Sequence, residues 1–278
     1  MNQSLLNGSR LYFSEDMAEA EIVPVAGGSA CVFSRRCPSK SGSNEDAAAI
    51  VPVDDSTAVL IIADGLGGAA LGEKASRVAT EAIVAAVSAF EEAGGAEAVL
   101  RTAILNGIEN ANAAVRELGN GGATTMAVVE ITADTMRPYH VGDSGILVTG
   151  GRGKVKLQTI AHSPVSYGVE AGLIDDSQAL HHEDRHIVSN VIGMENMRID
   201  IGPPLKFRAR DTVLLASDGL FDNLYTEEIV EEIRKGPLTK TANALRDTLA
   251  RRMAGAESGL PSKPDDTTFI IFRRTSVT

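Results

Sequence analysis

Five aspartates stand where short apolar runs meet turns, and that recurrence constrains the chain more than any other feature. They are Asp46 in S-N-E-D, Asp64 in I-I-A-D-G-L-G-G, Asp143 in V-G-D-S-G, Asp218 in L-L-A-S-D-G-L and Asp265 in K-P-D-D-T-T. A carboxylate at the end of a buried strand is destabilising unless something pairs with it. Any one of them alone reads equally well as an Asx turn or a strand-end cap. Repeated around the chain, they imply carboxylates that share a partner. All-oxygen ligands of this kind favour Mg²⁺ or Mn²⁺ over zinc. The expectation is a metal-dependent hydrolase.

Composition narrows the alternatives. The chain has 278 residues, 44% of them hydrophobic and 23% charged, as in an ordinary globular protein. Aromatics make up only 4%, with no Trp, so the core must be aliphatic. A net charge of −11 argues against nucleic acid or an anionic membrane as partner. It does not exclude phosphate chemistry, because bound divalent cations reverse the local field. The acidic N-terminus (Glu15, Asp16, Glu19, Glu21) lacks the cationic start and apolar core of a signal peptide. The apolar stretch Val59–Ala63 is far too short to span a bilayer. Cys31 and Cys37 form no zinc-finger spacing and no disulfide framework, so free thiols in a reducing cytoplasm are expected.

Along the chain, residues 1–20 are polar and aperiodic and read as a loose arm, with 21–278 as one catalytic unit. Ala47–Val53 and Ala58–Ala63 read as paired strands. Glu73–Phe90 carries a helical stripe through Ala79, Ile83 and Phe90, broken at Gly94-Gly95. A second helix presents Leu100, Ile104, Ile108, Ala111 and Val115 on one face. Thr124–Ile131, Met136–Val141, Ile146–Thr149 and Val155–Ile160 have the spacing of an antiparallel meander. Residues 163–196 read as an irregular surface flap with a short helical piece near Val169–Leu173. Thr212–Ala216 returns as a buried strand, Thr226–Arg234 and Lys240–Met253 as helices, and Thr267–Phe272 as a last strand. This block order fits α+β packing with helices outside sheets.

Asp64-Gly65-Leu66-Gly67-Gly68 follows a strand and precedes a helix, yet it lacks the Gly-Lys-Ser/Thr of a phosphate loop and the spacing of a dinucleotide fingerprint. The ordered set N-E-D-A, D-G-L-G-G, G-A-T-T, V-G-D-S, A-H-S, S-D-G-L-F-D and P-D-D-T-T resembles the metal-dependent serine/threonine protein phosphatases of type 2C, in their bacterial form. The resemblance runs from about Gly42 to Phe272. It implies a four-layer αββα sandwich: two antiparallel sheets face to face, with helices outside.

The resemblance also implies roles. Asp64 would bridge two Mn²⁺ or Mg²⁺ ions, the Gly65 carbonyl would complete the second site, and Asp218 and Asp265 would hold the first. Glu45 and Asp46 would act mainly through waters held by the ions, and Asp143 with Asp218 would form a weaker third site. Water activated by the metals would attack phosphorus in a phosphorylated protein, itself the product of a cognate kinase. Phosphate monoester hydrolysis needs accelerations up to ~10²¹-fold, on the order of 28 kcal/mol of barrier, beyond any single side chain.

Two features depart from the family. An arginine usually precedes the E-D pair and grips the substrate phosphate, and here Ser41 takes that position with Lys40 beside it. These two are the candidate substrate-binding residues. Leu66 replaces a histidine of many animal members. His181, His182 and His186 lack the pattern of a metal site and read as flap surface. Two rivals follow: a pseudo-phosphatase that binds phosphoprotein or kinase without turnover, and a phosphatase of a small metabolite.

Overall fold

The computed structural model describes residues 8–92, 97–119, 121–208 and 210–274. The chain opens with β1 (Arg10–Phe13), β2 (Glu21–Val25), β3 (Gly28–Arg35), β4 (Ala47–Pro52), β5 (Ala58–Ala63) and a short β6 (Gly65–Leu66). Two long helices follow, α1 (Ala69–Glu92) and α2 (Glu97–Glu117). Next come β7 (Ala123–Thr124), β8 (Met126–Ile131), β9 (Thr135–Val141), β10 (Gly145–Thr149) and β11 (Val155–Gln158). The flap holds α3 (Pro164–Glu170), α4 (Asp176–Leu180) and a 3₁₀ turn at Glu183–His186. β12 (Asp200–Ile201), β13 (Leu205–Lys206) and β14 (Thr212–Ala216) lead to α5 (Asp218–Phe221), α6 (Thr226–Ile233), α7 (Leu238–Met253) and β15 (Thr267–Arg274).

One sheet runs β1-β4-β5-β8-β9-β12, with β13 also on β9; the other runs β11-β10-β14-β15-β3-β2. The pairings within both are antiparallel. The two-residue period of a strand distributes its side chains between layers. Leu60 and Ile62 of β5 enter the core between the sheets, against Val213, Leu215, Ile270 and Phe272. Val59, Ile61 and Ala63 of the same strand face Ile83, Ile104 and Ile108 of α1 and α2. Leu214 and Ala216 of β14 turn outward to Ile229, Leu245 and Leu249 of α6 and α7. Both faces of the central strands are therefore covered, which is why they read as unbroken apolar runs. Each large aliphatic side chain so buried contributes about 1.5–3 kcal/mol. Helix, sheet, sheet, helix: the four-layer αββα sandwich is realised.

The structure departs from the sequence reading in three places. Within the expected loose arm, residues 10–13 form β1, paired residue for residue from Arg10↔Ile50 to Phe13↔Ala47. Tyr12 is buried in the inter-sheet core, and Leu11 and Phe13 pack toward the helices. Three consecutive apolar residues suffice to close the edge of β4. Residues 1–7 and the Gly94-Gly95 break lie outside the described residues.

β2 and β3 form a hairpin that alternation does not announce. Ala30 and Val32 of β3 face the inter-sheet core while Cys31 and Phe33 face the helices. Its turn places Ala26 at φ 48° and Gly27 at φ 64°, the two left-handed residues of a tight hairpin, without the usual Asn-Gly signature. Pro24 is tolerated because β2 lies at the sheet edge.

The flap is more helical than expected. Its first helix starts at Pro164, capped by Ser163 accepting from the Ser166 amide at 3.1 Å. The second starts with a capping box between Asp175 and Gln178.

Candidate active site

Strand register delivers the acidic residues to one end of the sandwich. The pair Ala47↔Ala63 sets Asp46 and Asp64 side by side, one residue beyond the ends of β4 and β5. In the other sheet, Gly145↔Ala216 and Ala216↔Phe269 bring together the turns that carry Asp143, Asp218 and Asp265. The two sheets are joined there: Ser217 donates to Asp46 Oδ2 at 2.8 Å. The peptide of Asp64 is fixed from the G-A-T-T segment. Its amide donates to Thr125 Oγ1 at 3.0 Å, and its carbonyl accepts from the Thr125 amide at 2.8 Å and from Thr124 Oγ1 at 2.7 Å. Thr125 also meets Ser144 Oγ at 2.6 Å, tying this turn to the one bearing Asp143.

The repeated Asp-Gly follows from close backbone approach. A Cβ on Gly65 would collide with the Gly72 carbonyl, and one on Gly219 with the Asp266 carbonyl. Any side chain at either place would push its aspartate out of the cluster.

The acids bear on one another. Burial, then the charges of Asp46, Asp218, Asp143 and Asp265, hold the Asp64 carboxyl well above the usual carboxylate range. Burial, then Asp266, does the same to Asp46. Asp143 is pushed up to about 8 by burial and by Asp218 and Asp222. Asp265 is raised to about 6, chiefly by burial and Asp218. Glu45 Oε1 and Asp46 Oδ1 are buried without a hydrogen-bond partner. Buried carboxylate oxygens with no donor, crowded by like charge, are what a hard cation satisfies. The donor set fits a divalent ion.

Among the described residues, however, no three His, Cys, Asp or Glu side chains already converge as a metal cage. One cation is in their midst instead. Lys263 Nζ lies 2.5 Å from Asp218 Oδ2, 2.7 Å from Asp222 Oδ2 and 3.4 Å from Asp265 Oδ2. The K-P-D-D-T-T motif points to Asp265 in this loop but not to Lys263 two residues before it.

Lys40 and Ser41, the candidate phosphate-binding pair, are placed differently from each other. Ser41 is exposed. Lys40 turns inward, its ammonium 2.6 Å from Asp266 Oδ2 and 2.9 Å from Glu45 Oε2. Burial works to lower its pKa, but the hydrogen bonds with Asp266 and Glu45 outweigh this and raise it. Asp266, also missed, accepts from the amides of Cys37 at 2.7 Å and Glu45 at 2.8 Å, so it shapes the loop that presents Glu45. Its neighbour Asp265 is the more legible of the two because it belongs to the recurring set of aspartates beside apolar runs.

His162 of A-H-S has a structural task. Its Nδ1 accepts from the Gly142 amide at 3.1 Å and from Asn190 Nδ2 at 2.7 Å, and its Nε2 therefore donates to Asp200 Oδ2 at 3.0 Å. The ring clamps the turn bearing Asp143 to both ends of the flap. His181 and His186 are exposed and His182 is half-buried, where it caps the 3₁₀ turn by accepting from the Asp184 amide at 3.1 Å. Beside the acids opens a cleft of about 470 Å³, lined by Asp143, Asp218 and Asp222 on one side and by Ser163, Ser166 and Arg185 of the flap on the other. Lys40 and Ser41 do not line it.

The chain belongs to the protein phosphatase 2C family, whose model matches residues 35–254. It is a protein phosphatase by that membership. A serine/threonine phosphatase, stp, of Listeria monocytogenes serovar 1/2a is 30% identical over 208 residues, covering 72% of this chain and 81% of that one. The S. agalactiae serine/threonine phosphatase structure superposes with a TM-score of 0.75 at 26% identity, over 88% of this chain and 99% of that one. The catalytic domain of the phosphatase PstP in complex with two manganese ions has a TM-score of 0.66 at 24% identity, over 88% and 96% of the respective chains. No described helix is long and apolar enough to cross a membrane.

Proposed function

We propose that this chain hydrolyses phosphoserine and phosphothreonine on proteins with the aid of two divalent ions, Mn²⁺ or Mg²⁺. The observation that carries the reading is the pair of partnerless buried oxygens, Glu45 Oε1 and Asp46 Oδ1, in a cluster whose other charges press on Asp64. A manganese pair in the PstP catalytic domain, which shares this fold, supports it. When bound, the ions would lower the pKa of water and neutralise the phosphoryl oxygens.

The chain's own residues supply position and charge. Asp64, with the Gly65 carbonyl, would hold both ions, and Asp218 and Asp265 the first of them. Glu45 and Asp46 would accept hydrogen bonds from water around the pair. Ser217, Thr124 and Thr125 hold Asp46 and the Asp64 peptide in register. Arg185 is the one cation among the described residues that line the cleft, so it is the best-placed group to meet a substrate phosphate. Lys40 serves instead as counter-ion to Asp266 and Glu45. Residues 21–278 would act as one catalytic domain in the cytoplasm, opposing a cognate kinase.

Hydrolysis of a phosphothreonine peptide tests the reading, in Mn²⁺ with and without chelator, on the wild type and Asp64→Asn. Activity should vanish on chelation, return with Mn²⁺, and fall at least ~100-fold in the variant. Chelator-resistant turnover rejects the metal mechanism. Turnover confined to small phosphate esters moves the substrate to metabolites, and phosphopeptide binding without turnover marks a pseudo-phosphatase.

A further inference from the structure

The cleft beside the acids is larger than a phosphoryl group requires. Its volume of about 470 Å³ lies in the range that encloses a drug-sized molecule. Asp143, Asp218 and Asp222 border it, so it is continuous with the reaction centre. Much of the remaining wall is apolar, with Ile160 and Phe221 from the body of the domain and Val165, Val169 and Leu180 from the flap.

Strand register explains how these side chains come to stand there. Leu147 and Val148 of β10 pair with Gln158 and Leu157 of β11, and beyond the strand the Thr159 amide still donates to the Ile146 carbonyl at 3.0 Å. The same register carries Ile160 alongside Gly145, two residues after Asp143. A Cβ on Gly145 would strike the Phe221 ring, so this glycine lets the ring pack directly on the start of β10. In the flap, Val165 and Val169 are four residues apart in α3 and share one face of it. Ile160 is 43% exposed. A large aliphatic side chain left open on a convex surface is ordinary, but inside a cleft it is a contact for whatever enters.

We infer that this cleft reads the sequence of the substrate: it takes an aliphatic side chain of the phosphoprotein close to the phosphorylated residue, with Ile160 as the specificity-determining contact. The inference rests on the phosphatase reading above. In an extended peptide, residues two apart point to the same side at a spacing of about 7 Å, which a cleft of this size accommodates. Glu170 and Glu227 also border it, but both are exposed, and Glu227 lies in the first turn of α6, where the positive end of the helix favours it. They disfavour an acidic side chain in the cleft, and the apolar wall favours an aliphatic one over a basic one.

Phosphothreonine peptides carrying Leu, Gln, Arg or Asp at one flanking position at a time test this in Mn²⁺. Their kcat/KM is compared on the wild type, Ile160→Ala and Ile160→Glu. Hydrolysis of p-nitrophenyl phosphate, which has no flanking residue, normalises each sample for folding. Leu should exceed Gln by ~10–100-fold at one or more positions. Ile160→Ala should lower that ratio at least ~3-fold, and Ile160→Glu should abolish it. If Ile160→Glu hydrolyses neither kind of substrate, the ratio in Ile160→Ala decides alone. Equal rates for Leu and Gln at every position, a preference for Arg, or a Leu preference untouched by the variants overturns the proposal and leaves the phosphatase reading standing. No phosphopeptide turnover by the wild type removes both.

Discussion

Ser217 and Asp46 belong to different sheets, yet the serine hydroxyl reaches the carboxylate at 2.8 Å. The same hydroxyl accepts from the Thr268 amide at 3.0 Å, so it is oriented before it donates. Asp46 has no partner for its other oxygen. Ser217→Ala should therefore leave a buried carboxylate with less support, at a cost of about 1–3 kcal/mol. Chelated protein should melt lower, and Mn²⁺ titration should show weakened affinity. Unchanged melting and affinity would show that this bond between the sheets is idle.

Asp64 illustrates a trade between stability and function. Its carboxyl is raised by burial and by four neighbouring acids. Asp64→Asn removes one buried like charge, so the chelated protein should gain ~1 kcal/mol, about 2–4 °C in Tm, while losing activity. A fall in chelated Tm would mean that Asp64 is structurally paired rather than strained.

Lys40 is spent on Asp266, whose side chain is only 5% exposed, and on Glu45. Lys40→Ala should destabilise the fold by about 2–3 kcal/mol, because it leaves a buried charge unpaired. Asp266→Asn in that background should recover only part of the loss, since its single amide oxygen can accept one of the two backbone N–H bonds that the carboxylate takes from Cys37 and Glu45, and its NH2 faces the other. KM for a phosphopeptide should move less than ~3-fold. A large KM effect with little loss of stability would return Lys40 to the substrate.

His140 gives the fold an acid limb. Burial first, then the His162 imidazole, lowers its pKa from 6.5 to about 4, against small opposing contributions from the Ser144 backbone and Asp200. Between those values the unfolded chain binds more protons than the folded one, so stability falls as pH drops through the window. At about 1.36 kcal/mol per unit the loss approaches ~3 kcal/mol near pH 4. His140→Met should flatten this limb in denaturant titrations at several pH values. An unaltered limb assigns the effect to other groups.

What the sequence disclosed, it disclosed through endings. β4, β5 and β14 were legible because their aliphatic runs are bounded by turns bearing Asp46, Asp64 and Asp218, and α1 and α2 because Ile83 and Ile104 fall on helical spacing. β3 escaped because its apolar run, Ala30 to Phe33, is only four residues long between Ser29 and Ser34, and its turn uses Ala26-Gly27 in place of Asn-Gly. The flap helices did carry start signals, Ser163-Pro164 and Asp175 with Gln178, hidden in a stretch without an apolar stripe. Lys263 and the Lys40–Asp266 pair were out of reach for another reason. Lys40 and Asp266 are 226 positions apart, and no local pattern states which cation a folded loop will bring to which acid.

Asp46 and Asp64 ride on one sheet and Asp218 and Asp265 on the other, with Asp143 in the turn that passes between them. The gap between these half-sites is set by the thickness of the aliphatic filling that Leu60, Ile62, Leu215 and Ile270 provide. Those side chains act as shims for chemistry they never touch. Trimming Ile270 to valine would leave the architecture standing yet let the jaws of the reaction centre drift, so turnover is the sharper gauge of how well that interior is fitted.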